Sequence, residues 1–476
     1  MSSYETVVGL EVHTELSTKT KIFCSCTTEF GGAPNTHCCP VCTGMPGTLP
    51  VLNRSVAEYA VRVGLATNCT INRYNKFDRK NYFYPDLPKA YQISQLYLPI
   101  CENGYIDVEA DGNTRRIRIK EIHMEEDAGK LVHDEWEDCT LADYNRCGVP
   151  LLEIVSEADF RSSAEVLAYI EKLRAILQYL DVSDCKMQEG SLRADVNVSV
   201  RPIGQKEFGT RTEMKNMNSL KAIGRAIDYE SKRMIELIED GKRVKQETRR
   251  WDENKDASFP MRSKENAQDY RYFPEPDIPP VEISDEWLNE IRASLPELPH
   301  AKLERYLDEL GLSEYDADMI IRYKPMADLF EETNEIVGDP REIAKWIMGE
   351  LFRLLKERSM EPTDSPIKAT DLAALIKLVN SGKINRDTAK VVFEAMFTDG
   401  AEPEAYVKAH DLEMVSDTSA FESVVSTVIA ANPQSVEDYK NGKTKAISFL
   451  MGQCMKQLKG KANPQELTAM LKDKLK

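Results

Sequence analysis

The sequence predicts an α+β chain, with strands concentrated before about residue 290 and helices after it. Three observations carry this reading. Alternating apolar and polar residues dominate the first part, helical spacing of apolar residues dominates the last, and a proline-dense segment lies between them. A chain of 476 residues also exceeds the roughly 250–300 residues at which one core stops growing, so two to four domains are expected.

The elements follow in order. From Thr6 to Leu16, Val8, Leu10, Val12 and Leu16 face one way, and Glu11, His13 and Glu15 the other, the period of a half-buried strand. Arg116 to Lys120 alternates as well. Ser162 and Glu165 form a capping box that opens a helix carrying Val166, Ile170, Leu173 and Leu177, which is one helical face. Leu192 to Pro202 has the clearest alternation: Leu192, Ala194, Val196, Val198 and Val200 against Arg193, Asp195, Asn197, Ser199 and Arg201. Thr210 to Lys215 repeats it, with Arg211, Glu213 and Lys215 on one side. A helix from Ser219 to Glu239 ends at Gly241. Tyr272 to Pro280, YFPEPDIPP, reads as a rigid connector. Amphipathic helices then follow at Lys302–Leu310, Asp316–Glu332, Ile343–Lys356, Asp371–Asn380, Asp387–Phe397, Thr418–Ala431 and Ser435–Lys459. No fixed repeat and no low-complexity tract is present.

Composition narrows the class. Hydrophobic residues at 42% and charged residues at 30% exclude a disordered chain, and the apolar runs are far short of a membrane span. The start, MSSYETVVGLEVH, has no basic or arginine-rich targeting pattern, so a cytoplasmic enzyme is expected. A net charge of −17 argues against indiscriminate coating of nucleic acid. From Val436 to Lys476 nine lysines stand against four acids, a net of +5. That basic end is a candidate RNA contact, although a solvated helical surface accounts equally well for it.

Of the 11 cysteines, five crowd between Cys24 and Cys42. Cys24-x-Cys26 and Cys39-x-x-Cys42 supply two close pairs of soft donors, the pattern of a tetrahedral zinc site. Cys38 and His37 leave one ligand open. Four thiolates leave no position for a reacting water, which favours a structural zinc over a catalytic one; a metal-free set of buried cysteines is the other reading.

Acids gather elsewhere. Glu11 and His13 project together from the first strand. His123-Met-Glu-Glu-Asp127 follows the Arg116–Lys120 strand, and Glu153 sits between Leu151, Leu152, Ile154 and Val155. Oxygen donors beside β structure suit Mg²⁺, and phosphoryl transfer needs that cation together with basic residues on the phosphate oxygens. Arg79, Lys80, Arg193, Arg211 and Lys215 are the candidates for the latter. A solvated strand face accounts for Glu11 and His13 as well, and a surface turn for residues 123–127. Glu153 is the most pointed, because a carboxylate in an apolar run needs a partner. A Walker loop is absent: Gly442-Lys-Thr444 comes close, but Glu437 stands where the first glycine belongs. Neither a dinucleotide fingerprint nor an H-E-x-x-H motif occurs.

Longer strings are specific. VVGLEVHTEL (7–16), KFDRKNYFYPDLPKAYQISQ (76–95), HMEEDAGK (123–130), PLLEIVSE (150–157), EGSLRADVNVS (189–199), DYRYFPEPD (269–277) and VEDYKNGKTKAISFLMGQ (436–453) resemble the B subunits of glutamyl/aspartyl-tRNA amidotransferases, the GatCAB enzymes. The likeness covers essentially the whole chain. The related archaeal E subunits carry a large synthetase-like insertion, for which this chain has no room.

The resemblance implies a cradle-shaped, mainly antiparallel β catalytic domain over 1–293 with its zinc loop at 24–42, an all-α domain over 294–405, and a small helical tail over 406–476 that meets tRNA. It implies a carbon–nitrogen ligase that takes its nitrogen from glutamine. ATP phosphorylates the side-chain carboxylate of Glu-tRNA(Gln) or Asp-tRNA(Asn), and ammonia from the glutaminase A subunit then gives the amide, within a heterotrimer completed by a small C subunit. Mg²⁺ is expected on Glu11, His13, Glu125 and Glu153, with Glu126 and Asp127 as competitors. Arg79, Lys80, Asp195 and Glu213 are expected to line the same pocket, and Cys24, Cys26, Cys39 and Cys42 to hold zinc. A non-catalytic tRNA-binding scaffold, or a zinc-stabilised RNA-binding protein outside translation, are the competing readings. The presence of Glu11, His13, Glu125 and Glu153 together speaks against a decayed site.

Overall fold

The computed structural model describes residues 3–134, 137–261, 270–414, 418–440, 443–458, 462 and 464–475. Asp269, Gly442 and Lys459, which fall within motifs or helices expected above, lie outside the described residues. Two compact units are present, Met1–Pro299 and His300–Lys476.

The first unit begins with β1 (Tyr4–Glu15) and α1 (Arg54–Ala66). Short strands follow: β2 (Thr70–Ile71), β3 (Tyr74–Asn75), β4 (Asp78–Asn81) and β5 (Tyr91–Ser94). Next come the long hairpin β6 (Cys101–Ala110) and β7 (Asn113–Glu126), the small hairpin β8 (Lys130–His133) and β9 (Thr140–Asp143), and β10 (Pro150–Ser156). The unit is completed by α2 (Ser163–Tyr179), β11 (Leu192–Pro202), β12 (Thr212–Lys215), α3 (Leu220–Glu239), β13 (Glu247–Asp252), β14 (Ala257–Pro260), β15 (Phe273–Pro274), β16 (Val281–Glu282) and α4 (Asp285–Ala293).

Nine of these strands make one sheet in the order β14-β13-β12-β11-β1-β10-β7-β6-β2. Every pairing is antiparallel except β12 with β13. The strand read first in the sequence is therefore near the middle of the sheet. Its apolar residues Val8, Leu10 and Val12 are buried with Val196 and Val198 of β11, against Val166, Ile170 and Leu173 of α2 and Ile223 and Ile227 of α3. Burial of each such side chain stabilises by about 1.5–3 kcal/mol. Because side chains alternate, that burial fixes which way Glu11, His13 and Glu15 point. Both helices open as expected: Ser162 Oγ accepts from Glu165 N at 3.2 Å, and Ser219 Oγ from Ala222 N at 3.1 Å.

The proline-rich connector is tied to the sheet unit. β15 pairs with β4 and β16 with β3, so its prolines sit at strand edges where a missing N–H does no harm.

The second unit is helical: α5 (Pro299–Asp308), α6 (Glu314–Ile321), α7 (Lys324–Val337), α8 (Pro340–Trp346), α9 (Phe352–Glu357), α10 (Ala369–Asn380), α11 (Arg386–Asp399), α12 (Pro403–Ala409), α13 (Thr418–Ala431), α14 (Pro433–Lys440), α15 (Ala446–Gln457) and α16 (Pro464–Lys474). The α+β reading holds, but three expected helices are divided. Asp316–Glu332 breaks between α6 and α7, where Pro325 cannot donate to the preceding turn and sits instead in the first turn of α7. Ile343–Lys356 contains a π-helical turn at Ile347–Leu351. The described part of Ser435–Lys459 falls into α14 and α15. The last four helices share their own apolar cluster, including Phe421, Val425, Val428, Leu450, Cys454, Leu467 and Leu471.

Candidate active site and cysteine cluster

The sheet face opposite α2 and α3 collects the titratable residues by register. His13 on β1 stands beside Arg193 of β11 on one side and Glu153 of β10 on the other, and Glu153 stands beside His123 of β7. Two residues along, Glu15, Leu151 and Glu125 align in the same way. On the other side of β1, Glu11 is opposite Asp195.

Two acidic groups result. In the first, the ligand atoms of His13, Glu125 and Glu153 all lie within 4.8 Å of one another. His13 Nε2 is 3.7 Å from Glu125 and 3.6 Å from Glu153. Ser94 Oγ donates to Glu125 at 3.1 Å. The Glu125 side chain is 4% exposed. Burial and the neighbouring Glu153 charge raise its pKa, against the opposing charges of His13, Lys80 and His123. No lysine or arginine forms an ion pair with Glu125 or Glu153 among the described residues. Two carboxylates held this close with no lysine or arginine in direct contact repel each other. One imidazole and two carboxylates at this spacing fit a divalent cation with bonds of about 2.1 Å.

In the second group Glu11, Asp195 and Glu213 also lie within 4.8 Å of one another. Here the counter-charge is present: Lys215 Nζ lies 2.5 Å from Asp195 and 3.0 Å from Glu213. Asn197 donates to Glu11 at 3.0 Å and Thr248 to Glu213 at 2.7 Å. Burial raises the Glu11 pKa, and Glu153, Asp195 and Glu213 add to it. Of the four residues expected around one Mg²⁺, His13, Glu125 and Glu153 thus fall in one group and Glu11 in the other, with Asp195 and Glu213.

Glu126 is not brought to either group. It follows Glu125 on a strand and so points through the opposite face, where it pairs with Lys89 and accepts from Ile93 N at 2.9 Å. Asp127 is clamped by Arg146 and by Arg193, the latter at 3.1 Å. Burial opposes ionisation there, but the two guanidiniums hold the Asp127 carboxyl below its usual range, while burial and the Asp127 charge push Glu15 up. Arg146, in the turn before β10, escaped the sequence reading; nothing in its spacing marks it.

The remaining candidates separate by strand alternation. Arg79 points away from the acids, bonding Glu275 at 2.6 and 3.0 Å and Asp277 at 3.0 Å. Its neighbour Lys80 lies over the Tyr270 ring and close enough to Glu125 to affect its ionisation. Arg211 is exposed just before β12.

The cysteines converge too. The sulfurs of Cys24, Cys26, Cys39 and Cys42 all lie within 4.8 Å of one another. Cys39 and Cys42 are 3.9 Å apart, against the roughly 3.8 Å between ligands of a tetrahedral site with 2.3 Å bonds. Cys38 donates to the Asn35 carbonyl at 3.2 Å, and His37 meets the Glu29 carbonyl at 3.1 Å. Of Cys38, Cys39 and His37, only Cys39 is grouped with the other three cysteines. Hydrogen bonding from Cys24, then from Cys39 N and the Lys21 charge, holds the Cys42 thiol below its ordinary value despite burial.

No helix among the described residues is long and apolar enough to cross a membrane. Comparison with known proteins matches residues 6–289 to the GatB/GatE catalytic domain and residues 328–475 to the GatB domain. The chain is 62% identical to the aspartyl/glutamyl-tRNA(Asn/Gln) amidotransferase B subunit of Lachnoclostridium phytofermentans, over 100% of this chain and 99% of that protein. It is 59% identical to the corresponding B subunits of Agathobacter rectalis, over 100% of both chains, and of Caldicellulosiruptor bescii, over 99% of both. A sheet that pairs the motifs at 7–16, 123–130, 150–157 and 189–199 and a likeness of this extent agree: the chain belongs to the B-subunit family of the aspartyl/glutamyl-tRNA(Asn/Gln) amidotransferases.

Proposed function

We propose that the chain activates misacylated tRNA. A side-chain carboxylate oxygen of Glu-tRNA(Gln) or Asp-tRNA(Asn) attacks the γ-phosphorus of ATP, and ADP leaves. Ammonia then adds to the acyl carbon, inorganic phosphate departs, and loss of a proton leaves the amide. The observation that carries this reading is the close grouping of Glu125 and Glu153 with His13, with no lysine or arginine ion-paired to either acid among the described residues.

His13, Glu125 and Glu153 would hold Mg²⁺. When bound, it draws charge off the phosphate oxygens. Lys80, close to Glu125, supplies a further positive charge for those oxygens. Arg193 supports the same role, since its Nε is buried without a hydrogen-bond partner. Glu11, Asp195, Glu213 and Lys215 adjoin this centre across β1 and line the approach of the acyl end or of ammonia. Arg211 stands at the exposed edge of that group. Arg79 serves instead to anchor the 273–277 segment.

Cys24, Cys26, Cys39 and Cys42 hold a structural zinc that fixes their loop and takes no part in the reaction. Residues 1–293 form the catalytic domain, 294–405 a helical domain and 406–476 a tail that contacts tRNA; the last four helices, with their own apolar cluster, lie within that tail, although α12 runs across its first residues. A glutaminase A subunit and a small C subunit complete a cytoplasmic heterotrimer. The test is reconstitution with both partners, misacylated tRNA, ATP and glutamine. Amide formation coupled to ADP release is expected; amide formation without ATP would overturn the reading.

A further inference from the structure

Lys21 is fully buried, on the loop that leaves β1. Its ammonium donates to the Cys147 carbonyl at 2.7 Å, the Tyr144 carbonyl at 3.4 Å and the Cys42 sulfur at 3.7 Å. Three donors thus have three acceptors, and none of the acceptors is a carboxylate. No ion pair joins Lys21 to an acid among the described residues; the nearby Glu126 is committed to Lys89. An ammonium sealed from water is strongly disfavoured without an opposite charge, and among the three groups it touches one can supply such a charge. Cys42 is the one that can carry it.

We infer that Lys21 is the positioning residue of the cysteine cluster, neutralising part of its charge and joining it to the turn that carries Arg146. The inference rests on the zinc reading above. Four thiolates around Zn²⁺ leave a net charge of −2, and an N–H donated to a ligand sulfur is the usual outer-shell support of such a centre. The same lysine grips the 144–148 turn, which is also held by Ile22 N on the Gly148 carbonyl at 3.0 Å and by Cys147 Sγ on the Cys42 carbonyl at 3.2 Å. From that turn Arg146 reaches Asp127 and Glu15, and Gly148 N bonds the Asp127 carbonyl at 2.9 Å. Asp127 follows Glu125 by two residues. Loss of the metal would therefore free the Lys21 charge beneath the turn that braces the acidic face.

The test uses the full-length chain loaded with zinc or with Co²⁺. Lys21→Met is expected to release zinc to a chromophoric chelator at least tenfold faster than wild type. Its thiolate-to-cobalt charge-transfer band should shift to lower energy, because a sulfur relieved of a hydrogen bond gives up charge more readily. Lys21→Arg should bring both readouts back toward wild type, which a merely structural role would not require. If Lys21→Met does not fold, Lys21→Gln, which keeps a donor but drops the charge, gives the same release measurement. Release less than threefold faster with an unshifted band overturns this inference alone. A wild-type chain that takes up no zinc overturns the zinc reading and this inference together.

Discussion

His13 and Glu153 face each other across the β1–β10 ladder, with the imidazole Nε2 3.6 Å from a carboxylate oxygen. Glu125 joins them from the next strand over. Three segments far apart in the chain thus meet because one register holds across three strands, and the chemistry of the site depends on that register.

Replacing Glu125 or Glu153 by Ala should lower ATP-dependent amide formation on misacylated tRNA by on the order of 100-fold or more. Glutamine hydrolysis by the partner and binding of tRNA should be retained at least in part. Both are measured on the reconstituted complex; undiminished amide formation would remove these residues from the site.

Cys39→Ser or Cys42→Ser should reduce zinc well below one per chain by elemental analysis. Cys38→Ser should leave the metal in place, because the Cys38 sulfur already faces the Asn35 carbonyl. Equal zinc loss from all three variants would contradict the ligand set.

His123 and Glu121 make stability depend on pH. Burial pulls the His123 pKa down, but its contact with Glu121 and the charges of Glu153, Glu121 and Glu125 outweigh it, so the value lies above the ordinary 6.5. The His123 contact, with a smaller share from Lys120 and against burial, holds Glu121 at about 2 instead of 4.5. The histidine's contribution is complete below pH 6.5 and is lost as pH rises through its folded value. The acid's contribution is complete above pH 4.5 and is lost as pH falls through about 2. In magnesium-free buffer the melting temperature should therefore decline above pH 6.5, and His123→Gln should flatten that decline.

Arg79→Ala should destabilise the chain by about 3 kcal/mol, since it leaves the buried Glu275 carboxylate without its partner. Thermal unfolding measures the loss. A variant of unchanged stability but impaired ATP use would return Arg79 to the substrate pocket.

Much of this arrangement was legible in the sequence. The alternation of β1 and β11 identified both strands and the face on which Glu11, His13, Arg193 and Asp195 stand. Less was legible where a strand's end was hidden. β7 runs on to Glu126, past the Arg116–Lys120 stretch that alternates cleanly, because Met124 and its neighbours are buried on both faces. Without that continuation, nothing separates Glu125 from Glu126. Arg79 and Lys80 pose the same problem on a four-residue strand. Which of two adjacent charges enters a site depends on pleat direction, and a short or doubly buried strand leaves no periodic record of it. Arg146, Lys21 and Lys89 act through contacts with distant segments, which spacing does not encode.

The placement of β1 also constrains how the molecule is made. β1 is synthesised well before β10 and β11, with which it pairs, so its hydrogen-bonding edges wait until about residue 200 has been made. Contacts of such sequence separation form slowly and leave apolar strands exposed meanwhile. At 5–20 residues per second that wait is roughly 10–40 s, an interval in which a nascent chain of this kind depends on protection from aggregation.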